Sequence, residues 1–299
     1  MPLAALPKCF LDALCVSRQM SVDQWIDRSV QLGLDGLEFY WHFTPWKDLR
    51  ELKRLRKRVE HLGMSIAMLC YSSDFTNPDP SRRREETEQQ KIAIQTAARL
   101  GATSCRVLTG QRRPGVSRQQ GLTWVRESLR ELLPFAEANG VILALENHYK
   151  DGFWVYPEFA QKMDLFLELL AGVEASPWFG VNYDPSNAIV AGDDPIVLLD
   201  AVKNRVVTMH ASDRHFEGGN AEDLRRLEAD PQLGYAPILK HGIIGRGLND
   251  YNKILSILKT AGFRGWISIE DGDDPTNGIE HLRLSVEFLR EKMRAHGLV

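Results

Sequence analysis

Short apolar runs alternate with longer amphipathic stretches along almost the whole chain. Runs rich in β-branched and aromatic side chains predict strands, and apolar positions at helical spacing predict helices. Strands are predicted over 10–16, 36–40, 64–71, 103–109, 141–147, 179–184, 206–210 and 266–270. Helices are predicted over 21–32, 46–62, 81–100, 117–139, 157–170, 194–202, 250–261 and 276–294, with serines at 21 and 81 as N-caps.

This alternation predicts the fold class. Strands that alternate with helices indicate a parallel sheet covered by helices, and eight such units favour a closed (β/α)8 TIM barrel over an open doubly wound sheet. Since no linker rich in Gly, Pro or Ser divides the chain, residues 1–299 are predicted to form a single domain. The longest break, at about 211–249, predicts an active-site loop.

Composition and charge exclude some partners. Hydrophobic residues make up 43% of the 299 residues, charged residues 26%, and the net charge is −3. Because this balance gives no basic field, no nucleic-acid partner is expected. No apolar run approaches the roughly 18 residues of a membrane helix, so no membrane partner is expected. The four cysteines form no CxxC pair, which indicates buried free thiols in a cytoplasmic protein.

Four consecutive predicted strands end in side chains that bind metals. The fifth to eighth strands run into Glu146, Asp184, His210 and Glu270, and the active site of a barrel lies at the carboxyl ends of its strands. A lone carboxylate there is usually a helix cap or a loop hydrogen-bonder, but four successive strand ends favour a shared site. Three carboxylates and one imidazole suit one divalent cation: Mn²⁺, Mg²⁺ or Co²⁺.

Short motifs recur in an order that is typical of one family. They are GLDGLE at 33–38, LENH at 145–148, NYD at 182–184, HASD at 210–213, GRGLNDY at 245–251 and ISIE at 267–270. With these motifs the chain resembles the xylose isomerase-like barrel superfamily, in its sugar phosphate isomerase/epimerase branch. The resemblance implies that Glu146, Asp184, His210 and Glu270 hold one divalent metal, most often Mn²⁺. It also implies that Glu146 and Glu270 transfer protons.

The predicted function is that of an isomerase or epimerase of a small keto-sugar or polyol. A cation chelated by a carbonyl and a neighbouring hydroxyl stabilises the enediolate that forms when the α-proton leaves. One glutamate removes that proton, and a second glutamate on the other side of the sugar returns one. Loss of a β-hydroxyl starts from the same enediolate, so a dehydratase, a lyase, is the alternative.

Two candidate substrate-binding residues flank the predicted metal site. Many epimerases of the family carry a histidine three residues after the metal-binding aspartate, but here Asn187 stands at that place. An amide hydrogen-bonds a substrate oxygen but does not titrate near neutrality, so no particular epimerase is assigned. His148 closely follows Glu146 and either contacts substrate or is a loop histidine.

Three more candidates lie further away. Glu38, in the second predicted strand, is expected to face the barrel mouth and either binds a substrate hydroxyl or orients other groups. Trp41 belongs to an aromatic cluster that either stacks on sugar or packs under loops. Arg246, between two glycines, either binds a substrate tail or is an exposed loop arginine. Arg106, inside the fourth strand, is predicted to pair with Glu146 or Glu38.

Two other function classes are compatible with such a barrel. A DNA-repair nuclease like endonuclease IV needs about three zinc ions and more histidines after strands two and three, where only His42 is present. A sugar-binding barrel without catalysis is the other class, but both candidate glutamates are present. The expected partner is therefore a small sugar or polyol, and family habit suggests a homodimer or homotetramer.

Overall fold

Eight parallel strands close into a barrel in the computed structural model, which describes residues 1–270, 272 and 274–298. Around the barrel they follow the order β1-β2-β3-β4-β5-β6-β7-β10. They are β1 (Leu3–Ala5), β2 (Gly36–Tyr40), β3 (Ser65–Cys70), β4 (Ser104–Val107), β5 (Ile142–Glu146), β6 (Phe179–Tyr183), β7 (Val206–Ala211) and β10 (Trp266–Ile269). The barrel closes because β1 pairs in parallel with both β2 and β10.

Helices follow the strands and bury their apolar faces. They are α1 (Val22–Ser29), α2 (Leu49–His61), α3 (Pro80–Leu100), α4 (Arg118–Asn139), α5 (Met163–Ala171), α6 (Pro185–Ala191), α7 (Pro195–Val202), α8 (Ala221–Arg226), α9 (Tyr251–Thr260) and α10 (Gly278–Ala295). In α2, for example, Leu52, Leu55 and Val59 are buried at helical spacing, while the charged residues between them are exposed or half-buried. The predicted TIM barrel is therefore confirmed.

The prediction for the first strand is wrong. Residues 10–16, predicted as a strand, lie in a 3-10 turn, Lys8–Phe10, and a π-helical turn, Asp12–Val16. The first barrel strand is instead Leu3–Ala5, three fully buried residues. Alanine has a low strand propensity, so only the pairing with two neighbouring strands makes this segment a strand. As a result, Lys8 and the π-helical turn follow the first strand and lie at the mouth of the barrel.

The predicted ends of the helices differ less from those in the structure. Ser21 forms the predicted N-cap in a reciprocal capping box, and Ser117 caps α4 in the same way. The helix predicted from Ser81 begins at Pro80, with Asp79 as its cap. The helix predicted from residue 157 begins at Met163, and α6 was not predicted.

The segment after β7 contains local structure of its own. Two short antiparallel strands, β8 (Arg214–Phe216) and β9 (Leu239–His241), enclose α8. The guanidinium of Arg214 lies 4.1 Å from the ring centre of Tyr235 and 5.0 Å from that of Tyr149. Because Tyr149 belongs to the loop after β5, this stacking joins two loops at the mouth of the barrel.

Two further predictions concern thiols and membranes. The four cysteines are free; Cys70 and Cys105 lie in strands, whereas Cys9 and Cys15 lie in the two short helical turns after β1. Over residues 1–270, 272 and 274–298, no helix combines the length and apolar character required to cross a bilayer.

Candidate metal centre and active site

The four predicted strand-end residues meet at the mouth of the barrel. Glu146 is the last residue of β5, Asp184 directly follows β6, His210 lies in β7 and Glu270 directly follows β10. All four are buried, and one possible ligand atom from each lies within 4.8 Å of the others. The structure therefore brings together three carboxylates and an imidazole from four strands.

The negative charges of the buried carboxylates in this cluster repel one another and favour the binding of a cation. Burial and the negative charges of Glu146 and Glu270 raise the pKa of Asp184 to about 6. Burial alone lowers the pKa of His210, but the carboxylates of Glu270, Glu38 and Glu146 outweigh it and hold this pKa well above its usual value. A cation shared by the cluster relieves the repulsion among the carboxylates. The donor set thus fits a divalent metal ion.

The two glutamates of the cluster have unequal surroundings. Glu146 Oε2 accepts a hydrogen bond from Arg106 NH1 at 3.0 Å, and Oε1 accepts one from Asn187 Nδ2 at 3.1 Å. Glu270 Oε2 lies 2.5 Å from His210 Nδ1, whereas Oε1 lies 3.6 Å from Lys8 Nζ. Glu146 thus has a hydrogen-bond donor on each oxygen, whereas the second oxygen of Glu270 has only the more distant ammonium of Lys8 as a partner.

The charge states of the two glutamates are alike. Burial raises the pKa of Glu146, but the charges of His210 and Arg106 outweigh it and lower the pKa. Burial is likewise outweighed at Glu270, where the charges of His210 and Lys8 hold the pKa well below its usual range. Both carboxylates are therefore ionised at neutral pH.

Asp184 is oriented by the elements around it. Ser212 Oγ donates to its Oδ1 at 2.5 Å, and the backbone N–H of Asn187 donates to the same oxygen at 2.9 Å, which makes Asp184 the N-cap of α6. Its backbone exchanges two hydrogen bonds with the side-chain amide of Asn147. These contacts fix the position of the carboxylate within the cluster.

Glu38 lies beneath His210 rather than in the cavity. Its Oε2 lies 3.0 Å from His210 Nε2, and both side chains are fully buried. A carboxylate on Nε2 fixes the orientation of the ring with Nδ1 towards the other three cluster residues. Of its two predicted roles, the geometry matches that of orienting other groups.

A cavity of about 370 Å³ opens beside the cluster, and Glu270 is the cluster residue in its lining. Polar residues that line it include Lys8, Tyr40, Arg106, His148, Asp151 and Glu270. Asp151 Oδ2 accepts hydrogen bonds from Tyr40 and Ser72, which ties the loop after β5 to β2 and to the loop after β3. The sequence pattern identified Glu270, His148 and Arg106 here, and Tyr40 belongs to the same predicted aromatic cluster as Trp41. Lys8 and Asp151 were missed, because Lys8 follows a first strand that was predicted elsewhere and no spacing signal marks Asp151.

The remaining candidates lie at different distances from the cluster. Asn187 contacts Glu146 directly. Trp41 stacks on Trp46 with ring centres 4.9 Å apart and meets Tyr71 edge-on at 5.1 Å, so packing accounts for its position. Arg246 lines a different cavity, of about 500 Å³, beside the β8–β9 hairpin.

A closed barrel with a carboxylate–imidazole cluster at the carboxyl ends of its strands defines a TIM-barrel protein with its candidate site in the mouth. The chain belongs to the xylose isomerase-like TIM barrel family, whose model matches residues 26–292. This confirms the resemblance seen in the sequence motifs.

Curated relatives are enzymes called inosose dehydratase. The enzyme of Geobacillus thermodenitrificans is 23% identical over 292 residues, which cover 91% of this chain and 90% of the relative. The enzyme of Bacillus thuringiensis is 21% identical over 171 residues, which cover 56% of this chain, and the chain spans about half of that relative's length (53%).

Solved structures share the fold. The IolI protein, crystallised with a bound zinc atom, superposes with a TM-score of 0.76 at 17% identity, over 99% of both chains. A D-tagatose 3-epimerase-like protein gives a TM-score of 0.74 at 20% identity, over 99% of this chain and 98% of its own.

Proposed function

We propose that this protein is a metal-dependent enzyme that removes a proton next to a carbonyl in a small keto-polyol or keto-sugar, and that the outcome is loss of water. The observation that carries this proposal is the buried cluster of Glu146, Asp184, His210 and Glu270, together with a cavity that Glu270 lines. Relatives called inosose dehydratase, aligned over 91% of the chain, support the choice of a dehydratase.

One divalent cation fits the cluster. Three oxygen donors and one imidazole nitrogen are available, and we infer Mn²⁺ as the resident ion, with Mg²⁺ or Co²⁺ as alternatives. When bound, the cation supplies electrostatic stabilisation for the negative charge that develops on the substrate oxygen as the proton leaves. Glu38 keeps the His210 ring in the orientation that this site needs, and Ser212 does the same for Asp184.

Glu270 is the proposed base. It lines the cavity, and its Oε1 lies towards Lys8 rather than against the buried protein interior. Glu146 is enclosed, with Arg106 and Asn187 on its two oxygens, so it serves as a fixed ligand. The β-hydroxyl must gain a proton to leave as water, and the proton that Glu270 takes from the α-carbon supplies it. The elimination therefore needs no second base on the opposite face of the substrate.

His148 and Asn187 are the proposed substrate-binding residues, because His148 lines the cavity and Asn187 contacts Glu146 of the cluster. The positions of Arg246 and Trp41 offer less support for such a role, since other surroundings account for both.

A sugar isomerase or epimerase, which is the function predicted from the sequence, is the second candidate. The presence of both glutamates in one cluster favours it, since inversion needs a base on either side of the substrate. The near-complete superposition on a D-tagatose 3-epimerase-like protein supports the shared scaffold.

The two candidates give different products in D₂O. The Mn²⁺-loaded enzyme is incubated with keto-inositols and with keto-hexoses, and the products are examined by mass spectrometry and NMR. Loss of water supports the proposed dehydratase. Deuterium at the α-carbon without loss of water supports the epimerase instead, and no exchange with any of these substrates contradicts both.

A further inference from the structure

Two buried polar atoms face each other behind the cavity. His148 Nδ1 and Glu158 Oε2 lie 3.6 Å apart, on side chains that are only 6% and 1% exposed. Among residues 1–270, 272 and 274–298, neither atom has a hydrogen-bond partner. A buried polar atom without a partner is costly, so two of them in direct apposition need an explanation.

Glu158 is held so that this oxygen points at the histidine. Its other oxygen, Oε1, accepts hydrogen bonds from both the backbone N–H, at 2.7 Å, and the hydroxyl of Thr109. Its own backbone N–H donates to the carbonyl of Tyr149 at 2.7 Å. The carboxylate therefore has a fixed direction that does not depend on His148.

The imidazole is also fixed in place, and its far side reaches the cavity. The ring stacks on Tyr149 with centres 5.1 Å apart and meets Trp154 edge-on at 6.4 Å. His148 lines the cavity, and only Nδ1 of its two nitrogens is sealed without a partner. Nε2 is therefore the nitrogen that the cavity exposes.

We propose that Glu158 is a positioning residue that keeps a proton on His148 Nδ1 and so presents the Nε2 lone pair to a hydroxyl of the substrate. A neutral imidazole has one donor and one acceptor nitrogen, and a carboxylate beside one nitrogen makes that nitrogen the donor. A small rotation of the ring closes the 3.6 Å gap to a hydrogen bond. That the group bound by Nε2 is a substrate hydroxyl rests on the proposed function, but the tautomer of His148 does not depend on that function.

This arrangement selects for hydroxyl-rich substrates. An acceptor nitrogen in the cavity binds a group that donates, such as a polyol hydroxyl, and leaves a carbonyl or ether at the same place without a hydrogen bond.

The variant Glu158→Gln tests whether Glu158 determines the tautomer of His148. A glutamine keeps an acceptor for Thr109 but turns an N–H towards Nδ1, so the proton moves to Nε2 and the cavity receives a donor.

The tautomer is measured by long-range ¹⁵N–¹H NMR of histidine-labelled protein loaded with Mg²⁺, which avoids paramagnetic broadening. His148→Gln identifies the His148 signal among the eight histidines. We expect the proton on Nδ1 in the wild type and on Nε2 in Glu158→Gln, with the same thermal midpoint in both proteins. A wild-type proton on Nε2, or a doubly protonated ring at pH 7.5, overturns the proposal.

Measurements of kcat/KM test whether the tautomer of His148 affects turnover of the substrate. Glu158→Gln is expected to lower kcat/KM about tenfold, the loss of one good hydrogen bond, and to lower it no further when His148 is already Gln. The exposed Glu137→Gln is the matched control and leaves kcat/KM unchanged. Equal losses in the two backgrounds overturn the proposal. If no polyol is turned over, the proposed function fails while the NMR result still decides the role of Glu158.

Discussion

Arg106 and Glu146 form an ion pair at the floor of the cavity, with Arg106 NH1 3.0 Å from Glu146 Oε2 and side chains that are 4% and 0% exposed. The guanidinium also donates to the backbone carbonyl of Tyr71 and to Ser72 Oγ. Arg106 therefore links the loop after β3 to the end of β5 and fixes one oxygen of a proposed metal ligand. The pairing predicted from the sequence is confirmed.

Removing this arginine leaves a buried carboxylate without its partner. We predict that Arg106→Met lowers the free energy of unfolding by about 3 kcal/mol, the usual cost of breaking a buried ion pair from one side. Urea denaturation measures the loss, and the exposed Arg99→Met is the matched control. Adding Glu146→Gln to Arg106→Met is expected to recover part of it. A loss no larger than that of Arg99→Met contradicts the assignment.

Two aspartates offer a matched test of the metal site. Asp184 and Asp194 both precede a proline and both cap a short helix, but only Asp184 belongs to the four-residue cluster. Asparagine caps a helix as well as aspartate does, so neither Asn variant is expected to unfold. We predict that Asp184→Asn weakens Mn²⁺ binding at least 100-fold by calorimetry and that Asp194→Asn leaves it unchanged. Equal affinities in the two variants argue against the cluster.

The fold was predictable wherever a strand carried a continuous buried run. The pattern in 141–147 matches Ile142–Glu146, and that in 206–210 matches Val206–Ala211. The first strand was not predictable, because Leu3–Ala5 is short and contains two alanines, and its strand conformation comes from pairing with β2 and β10. A strand was predicted at 10–16 instead, because that run is more apolar.

The site was predictable to the extent that strand ends determine it. Parallel strands place their carboxyl ends together, so Glu146, Asp184, His210 and Glu270 could be grouped before any geometry was known. Lys8 and Asp151 could not be, because loops carry them and hydrophobic periodicity does not determine the path of a loop. Glu158 is a similar case, since only the folded structure shows that it faces His148.

The carboxylate behind His210 is expected to matter for metal affinity. Glu38 Oε2 lies 3.0 Å from Nε2 and sets the direction of Nδ1. We predict that Glu38→Gln, which keeps the size but removes the charge, weakens Mn²⁺ binding about 10- to 100-fold, as losses of such supporting carboxylates do. Calorimetric titration measures this effect. Unchanged affinity shows that neighbouring packing alone fixes the ring.

Glu86 is expected to make stability depend on pH. Burial raises its pKa to about 7, although a hydrogen bond from Tyr71 opposes this. An unfolded carboxyl titrates near 4.5, so between these values the folded protein binds the extra proton. This stabilisation is complete below about pH 4.5 and is lost as the pH rises through 7.

Replacing Glu86 with glutamine removes this titration. We predict that Glu86→Gln is about 2 kcal/mol more stable than the wild type at pH 8 and similar to it at pH 4.5, a figure reduced from the full linkage value because the side chain is half-buried. Urea denaturation at both pH values gives the two differences, and other titrating groups cancel. A constant difference across the range contradicts the raised pKa.

One divalent cation is expected to bind among Glu146, Asp184, His210 and Glu270. Crystals grown with Mn²⁺ and measured on both sides of the manganese absorption edge reveal whether it does. We expect one strong anomalous peak at the barrel mouth, within about 2.0–2.3 Å of a carboxylate oxygen or imidazole nitrogen of each residue, and its loss in His210→Gln. A cluster without a peak under saturating Mn²⁺, or a peak elsewhere that persists in the variant, contradicts it.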